Sequence, residues 1–94
     1  VTGRLMLLNV FCSDTLPGRR LGVVASRQLG GAVHRNRARR ILREAWRLIQ
    51  EQVAERCDVV IVARRGIVNC SMPEAQQELL KLLRAADALK APAG

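Results

Sequence analysis

The chain has 94 residues, 49% of them hydrophobic, and a formal charge of +8. That length allows one domain with a modest core, and the apolar content excludes a disordered tail. The basic surplus points to a polyanionic partner, with nucleic acid first among them. Of the 16 basic residues only Lys81 and Lys90 are lysine. Arginine forks pair bidentately with phosphate and stack on bases. A GC-rich coding sequence explains the Arg/Lys ratio equally well, but not the net charge.

Leu5–Phe11 is a short apolar run, read as a largely buried strand. Asp14–Arg19 is turn chemistry centred on Pro17-Gly18. Arg20–Ser26 is a second strand, and the short loop predicts antiparallel pairing with the first. With period 2, Leu21, Val23 and Ala25 share one face, while Gly22, Val24 and Ser26 share the other. The second face is smaller and more polar. It suits either an open, ligand-facing side or a side covered by helices. After a loop at Arg27–Gly31, a long helix is predicted from near Val33 to near Arg56. Val59–Ala63 is the clearest strand, and five consecutive apolar residues predict a central position buried on both faces. Ser71-Met72-Pro73-Glu74 carries the N-cap, first-turn proline and reciprocal glutamate of a second helix. Its apolar stripe is Ala75, Leu79, Leu82, Leu83 and Ala86. Ala91–Gly94 reads as a frayed tail. The order strand, strand, helix, strand, helix gives an α+β class, a small sheet packed with helices, as one domain over residues 1–94.

Cys12, Cys57 and Cys70 include no CxxC pair, and His34 is the one histidine. This spacing holds no structural zinc site. An odd number of cysteines, two of them in or beside apolar runs, predicts buried, reduced thiols in a cytoplasmic protein. No apolar run reaches the length of a membrane span, and the N-terminus lacks a signal-peptide pattern.

The long helix carries most of the charge. Arg35, Arg37, Arg39, Arg40, Arg43 and Arg47 fall between positions 35 and 47. At about 100° per residue, Ala38, Ile41, Leu42, Ala45, Leu48 and Ile49 share one sector, with Trp46 and Val53 at its edge. Asn36, Arg39, Arg40, Arg43 and Arg47 share the opposite sector. Guanidinium groups about 5–6 Å apart match the phosphate spacing of a nucleic-acid strand. Glu44 and Glu51 compensate only part of the charge, so self-repulsion opposes the arrangement unless a polyanion binds. A charged helix face is otherwise simply solvated. Gly30-Gly31 allows close backbone approach, and the helix start adds free N–H groups and a positive dipole end beside Arg35, Asn36 and Arg37.

The residues offer no catalytic set. There is no supported Ser/His/Asp or Cys/His pairing, and the acidic residues form no close pair suited to Mg²⁺. No catalytic or metal-binding residue is therefore expected in the chain, and no small-molecule substrate.

Three blocks carry a family resemblance. They are Leu21-Gly22-Val23-Val24-Ala25-Ser26-Arg27, then Gly30/Gly31-Ala32-Val33 with Arg35-Asn36-Arg37, Arg40 and Arg43-Glu44, then Asp58–Arg64. Together they resemble the protein subunit of bacterial ribonuclease P, with Arg35-Asn36-Arg37 as its RNR signature. The resemblance implies a ribonuclease P protein-like fold with a left-handed β-α-β crossover, against the usual right-handed rule. It implies a non-catalytic subunit of an endoribonuclease in a tRNA-processing ribonucleoprotein. Its partners are then the ribonuclease P RNA and precursor tRNA, its location the cytoplasm, and Mg²⁺ is required by the RNA-containing holoenzyme. RNA binding falls to Arg35, Asn36, Arg37, Arg39, Arg40, Arg43 and Arg47. Leader contact falls to a sheet face carrying Leu8, Val24, Ser26 and Arg27, with Leu8 where the family often has an aromatic residue. The family's basic, aromatic N-terminal helix has no counterpart before Leu5, so an exposed apolar face is expected. Two readings compete with this one: another basic RNA-binding module, such as a ribosome-associated protein, and a basic amphipathic helix on an anionic membrane or acidic groove. The second needs the apolar face that the core also needs.

Overall fold

The structure is a computed structural model and describes residues 1–90; Ala91–Gly94, expected to fray, lie outside the described residues. In chain order the elements are β1 (Met6–Cys12), β2 (Arg20–Val24), α1 (Ala32–Ile49), β3 (Cys57–Ala63) and α2 (Met72–Ala85). Short 3₁₀ turns lie at Arg27–Leu29, Gln50–Gln52 and Arg65–Asn69.

The sheet order is β1-β3-β2. β3 pairs antiparallel with β1 and parallel with β2. The antiparallel β1–β2 hairpin suggested by the short loop is therefore not formed. β3 is the most apolar strand and takes the centre, where both edges are hydrogen-bonded. The Asp14–Arg19 connection spans it instead. That loop is anchored beside the start of β3, where Ser13 N–H donates to Arg56 O and the Arg56 guanidinium donates to Leu16 O at 2.9 Å.

Register fixes the faces. Leu8, Ile61 and Val23 form one row across the sheet, and Val10, Val59 and Leu21 form the next. These rows face the core, which continues through Leu42, Ile49, Leu79 and Leu83 of the two helices. The other face carries the rows Leu7–Val62–Val24, Asn9–Val60–Gly22 and Phe11–Asp58–Arg20. No helix of the described residues covers it: Phe11 is 62% exposed, Val24 46% and Val60 36%. The expectation that β3 is buried on both faces is thus corrected, because both helices lie on one side. Leu8 is corrected with it: at 1% exposure it belongs to the core and not to an open, leader-facing surface. Full burial of a large aliphatic side chain is worth roughly 1.5–3 kcal/mol. Turning β1 over would forfeit that at Met6 and Leu8 together.

α1 stops at Ile49, earlier than the Arg56 its pattern suggests. Backbone pairing ends it. Ala54 N–H donates to Ala88 O and Lys90 N–H to Gln52 O, drawing the chain into an extended path at the buried Val53. α2 begins as expected, with the Ser71–Glu74 capping box complete and proline in its first turn. Ala75, Leu79, Leu82 and Leu83 are buried, while Ala86 caps the helix end and is half-buried. Glu78 of α2 ties down the start of β1, accepting from the backbone N–H groups of Arg4, Leu5 and Met6 at 2.7–3.0 Å.

The cysteines differ from expectation. Cys12 and Cys57 face each other across the β1–β3 ladder and form a disulfide. Cys12 is exposed and Cys57 buried, so only Cys70 fits the expected buried, free thiol. Sequence spacing carries no hint of the bridge, because strand register alone brings the pair together. Burial pushes the Cys70 thiol above its ordinary pKa. The disulfide closes a segment with a sequence separation of 45, so reduction should cost about 2–4 kcal/mol and lower the melting temperature. Alkylation in denaturant should label Cys70 alone before reduction and all three cysteines after it. Identical melting curves with and without reductant would show that the bridge contributes nothing.

Candidate nucleic-acid interface

α1 divides into two faces. Ala38, Ile41, Leu42, Ala45, Trp46 and Ile49 are buried. Leu48, expected among them, is 48% exposed, while Trp46, expected at the edge, is 7% exposed. The two residues flank the apolar sector at similar angles. The helix is rolled toward the indole, which removes more surface from water than a leucine.

The opposite face carries Asn36, Arg39, Arg40, Arg43, Glu44 and Arg47 along one shallow groove. Its members are not equivalent. Arg47 donates two hydrogen bonds to the Glu44 carboxylate. This pairing holds Glu44 below and Arg47 above their ordinary pKa values, with the hydrogen bonds as the main cause. Arg39 Nη1 donates to Asn36 Oδ1 at 3.2 Å. Arg40 and Arg43 have no protein partner among the described residues and are exposed. Arg35 is half-buried, and its Nε is buried with no hydrogen-bond partner. Arg37 lies off the file: its guanidinium donates to the carbonyls of Ile67, Val68 and Cys70.

The helix start has the expected character with one refinement. Gly31 is the N-cap, no side chain caps the first turn, and no acidic residue lies there. First-turn N–H groups are therefore left for an external acceptor. Only Gly30 requires glycine geometry. Its φ is 113°, and an added Cβ would lie 2.8 Å from His34, whereas Gly31 is extended with open space around it.

A second surface lies on the open sheet face. Val24 sits there as the β2 periodicity suggests. Ser26 is instead occupied in capping the Arg27–Leu29 turn, accepting from Gln28 N–H, and Arg27 is exposed in that turn. At one end of the face Leu7, Ser26, Gln28, Val62, Arg64 and Arg65 line a recess of about 330 Å³. At the other end Phe11 lies beside the Arg20–Asp58 ion pair. Sequence reasoning missed Phe11, Arg64 and Arg65. Asn9 was the available signal: a polar residue inside an apolar run marks the outward side, and period 2 then places Leu7 and Phe11 with it.

Among the described residues, no group of three His, Cys, Asp or Glu side chains converges to hold a metal ion. Most carboxylates are already engaged: Glu44 with Arg47, Asp58 with Arg20, Glu74 in the α2 cap, Glu78 on three amides and Glu55 with Lys90. The donor set of the described residues does not fit a Mg²⁺ site, and none of their helices is long and apolar enough to cross a membrane.

Comparison with known proteins agrees with this geometry. A family model described as Ribonuclease P matches residues 2–87. A ribonuclease P protein component from Pelotomaculum thermopropionicum is 42% identical over 82% of this chain and 69% of its own length. One from Symbiobacterium thermophilum is 36% identical over 96% of this chain and 78% of its own. Among solved structures, the Staphylococcus aureus RNase P protein matches 96% of this chain and 82% of that one, with a TM-score of 0.81 at 24% identity. The Thermotoga maritima protein gives a TM-score of 0.78 at 22% identity, covering 90% of this chain and 80% of that one. At these identities the two structures establish the shared fold.

Gly30→Ala tests the helix start. The substitution forces a side chain into a left-handed backbone and against His34, so stability should fall by more than about 1 kcal/mol. The urea midpoint should drop with its slope unchanged. An unaltered midpoint would show that the backbone at Gly30 is not held as described.

Proposed function

The chain belongs to the ribonuclease P protein family, and on that premise we propose that the arginine file of α1 binds the RNA of the holoenzyme while the open sheet face receives the 5′ leader of precursor tRNA. The chain is the protein component of ribonuclease P, the enzyme that cleaves tRNA precursors, and its partner is the ribonuclease P RNA. The alternative of a ribosome-associated module falls with the family assignment.

One observation supports the RNA-binding face above the others. Arg40 and Arg43 project from the side of α1 opposite its buried residues and form no ion pair among the described residues, since their acidic neighbour Glu44 is taken by Arg47. Arg35, Asn36 and Arg39 extend the same surface toward the uncapped helix start. Arg47 contributes less, because Glu44 already neutralises it. The leader-facing assignment keeps Val24, Ser26 and Arg27, drops Leu8, and adds Phe11 with Arg64 and Arg65. An exposed aromatic ring at one end of the face gives a base a stacking platform, and the guanidinium groups of Arg64 and Arg65 at the other end suit the backbone of the same strand. In this reading β1 does present an aromatic residue on the open face, and it is Phe11.

The protein's part is to position and neutralise. Guanidinium groups lower the repulsion between closely placed phosphates, and N–H groups at the helix start donate to a phosphate without moving. In this proposal the protein supplies no group for proton transfer or nucleophilic attack. Mg²⁺ belongs in this proposal to the RNA, since most of the protein's carboxylates are committed elsewhere and no three metal-ligating side chains converge among the described residues. A cytoplasmic location and precursor tRNA as second partner are parts of the same proposal.

Replacing Arg40 and Arg43 with Ala should lower the slope of log K against log salt for the ribonuclease P RNA by roughly 1.4–1.8 units. The intact protein should restore leader cleavage by that RNA at low Mg²⁺, and the double variant should restore it less well. Retained slope together with full rescue would remove this face of α1 from the interface.

A further inference from the structure

The three residues of the RNR signature are chemically different in the fold. Arg35 and Asn36 lie toward the uncapped helix start and the file. Arg37 turns aside. One of its nitrogens, Nη1, lies 2.7 Å from Val68 O and 3.4 Å from Ile67 O, and Nη2 lies 3.2 Å from Cys70 O. These carbonyls close the 3₁₀ turn Arg65–Asn69 and lead into the cap of α2. A planar fork matches such a carbonyl group in a way that a point charge does not. Three of its five N–H donors are engaged in this way, which turns the guanidinium toward this segment, while Nε–H and one Nη2–H stay without a protein partner among the described residues and the residue remains exposed. The segment it holds is the one that begins with Arg64 and Arg65 at the rim of the sheet-face recess. Arg65 in turn leans on the turn before α1, with Nε 3.5 Å from Gln28 O.

We propose that Arg37 is a positioning residue: it pins the Arg64–Cys70 segment against the first turns of α1, so that the basic groups of both segments meet RNA as one fixed surface, and it contacts no phosphate itself. This rests on the RNA-binding reading of α1.

The test is the salt dependence of binding to the ribonuclease P RNA for the intact protein and for Arg37→Ala, Arg37→Lys and Arg40→Ala, each first checked for folding by its melting curve. Arg40→Ala should reduce the slope by about 0.7–0.9, the loss of one phosphate contact. Arg37→Ala should weaken binding about tenfold at every salt concentration, the order expected when charge-assisted hydrogen bonds are removed, with the slope unchanged. Arg37→Lys keeps the charge but not the fork, so it should bind as weakly as Arg37→Ala. It also carries the test alone should the alanine variant fail to fold. A slope reduced in Arg37→Ala, or near-native binding by Arg37→Lys, would make Arg37 a phosphate contact and overturn the proposal. Unchanged affinity in a folded Arg37→Ala would overturn it equally, leaving only a structural bond. If Arg40→Ala itself leaves the slope intact, the α1 interface has failed, whatever Arg37 does.

Discussion

The central strand β3 is hydrogen-bonded on both edges, antiparallel to β1 and parallel to β2. Its Val59 and Ile61 side chains form the floor on which both helices rest. Every charged surface takes its position from that floor. The parallel β2–β3 pairing needs a crossover, and α1 is that crossover. Burying Ile41, Leu42, Ala45 and Trp46 turns its other side outward, and that side holds Arg39, Arg40 and Arg43. The file exists because the opposite face of the same helix must be covered.

The net charge overstates the number of groups free to bind. Several arginines are committed to the fold through backbone carbonyls: Arg19 to Val53, Arg37 to the Ile67–Cys70 segment, Arg56 to the β1–β2 loop and Arg64 to Gly3. These are long-range links, several of them at turns with carbonyls left over from secondary structure. An arginine fork reaches such carbonyls while keeping part of its head in water. Ion pairs absorb Arg20 and Arg47, and exposed pairs of that kind contribute little stability. What remains without a protein partner among the described residues is concentrated on α1, with Arg27 near the open face and Arg84 on α2. Arginine richness here serves both structure and recognition, and only geometry separates the two uses.

Much of this was legible in the residues. The apolar spacing of α1 located its buried face, the Ser71–Glu74 pattern located α2, and the RNR block gave the family. What failed were properties that depend on distant parts of the chain. Strand order turned on β3 competing with β2 for the place beside β1, which loop length does not encode. The end of α1 was set by pairing between residues near 53 and near 89, not by any local stop signal. The Cys12–Cys57 bridge followed from register, and register followed from burying Met6 and Leu8. Leu8 entered the leader-facing set through the family's aromatic position on the first strand, whereas the outward Asn9 places Leu8 on the core side.

The open sheet face and the arginine file look in different directions. The file is on the far side of the helix layer, whereas the rows Leu7–Val62–Val24 and Asn9–Val60–Gly22 are on the far side of the sheet. One duplex lying along α1 would leave those rows free. The start of α1 is where the two surfaces come closest, because the Arg27–Leu29 and Arg65–Asn69 turns pack there, bordering both the helix and the recess. Two RNA partners on the two surfaces would therefore meet at Arg35-Asn36-Arg37. Arg37 bonds there to the protein itself, and Arg35 and Asn36 are left beside uncapped N–H groups. On the proposal made for Arg37, a rigid junction at that point costs one arginine as a ligand and sets Arg64 and Arg65 in a fixed orientation to the file on α1.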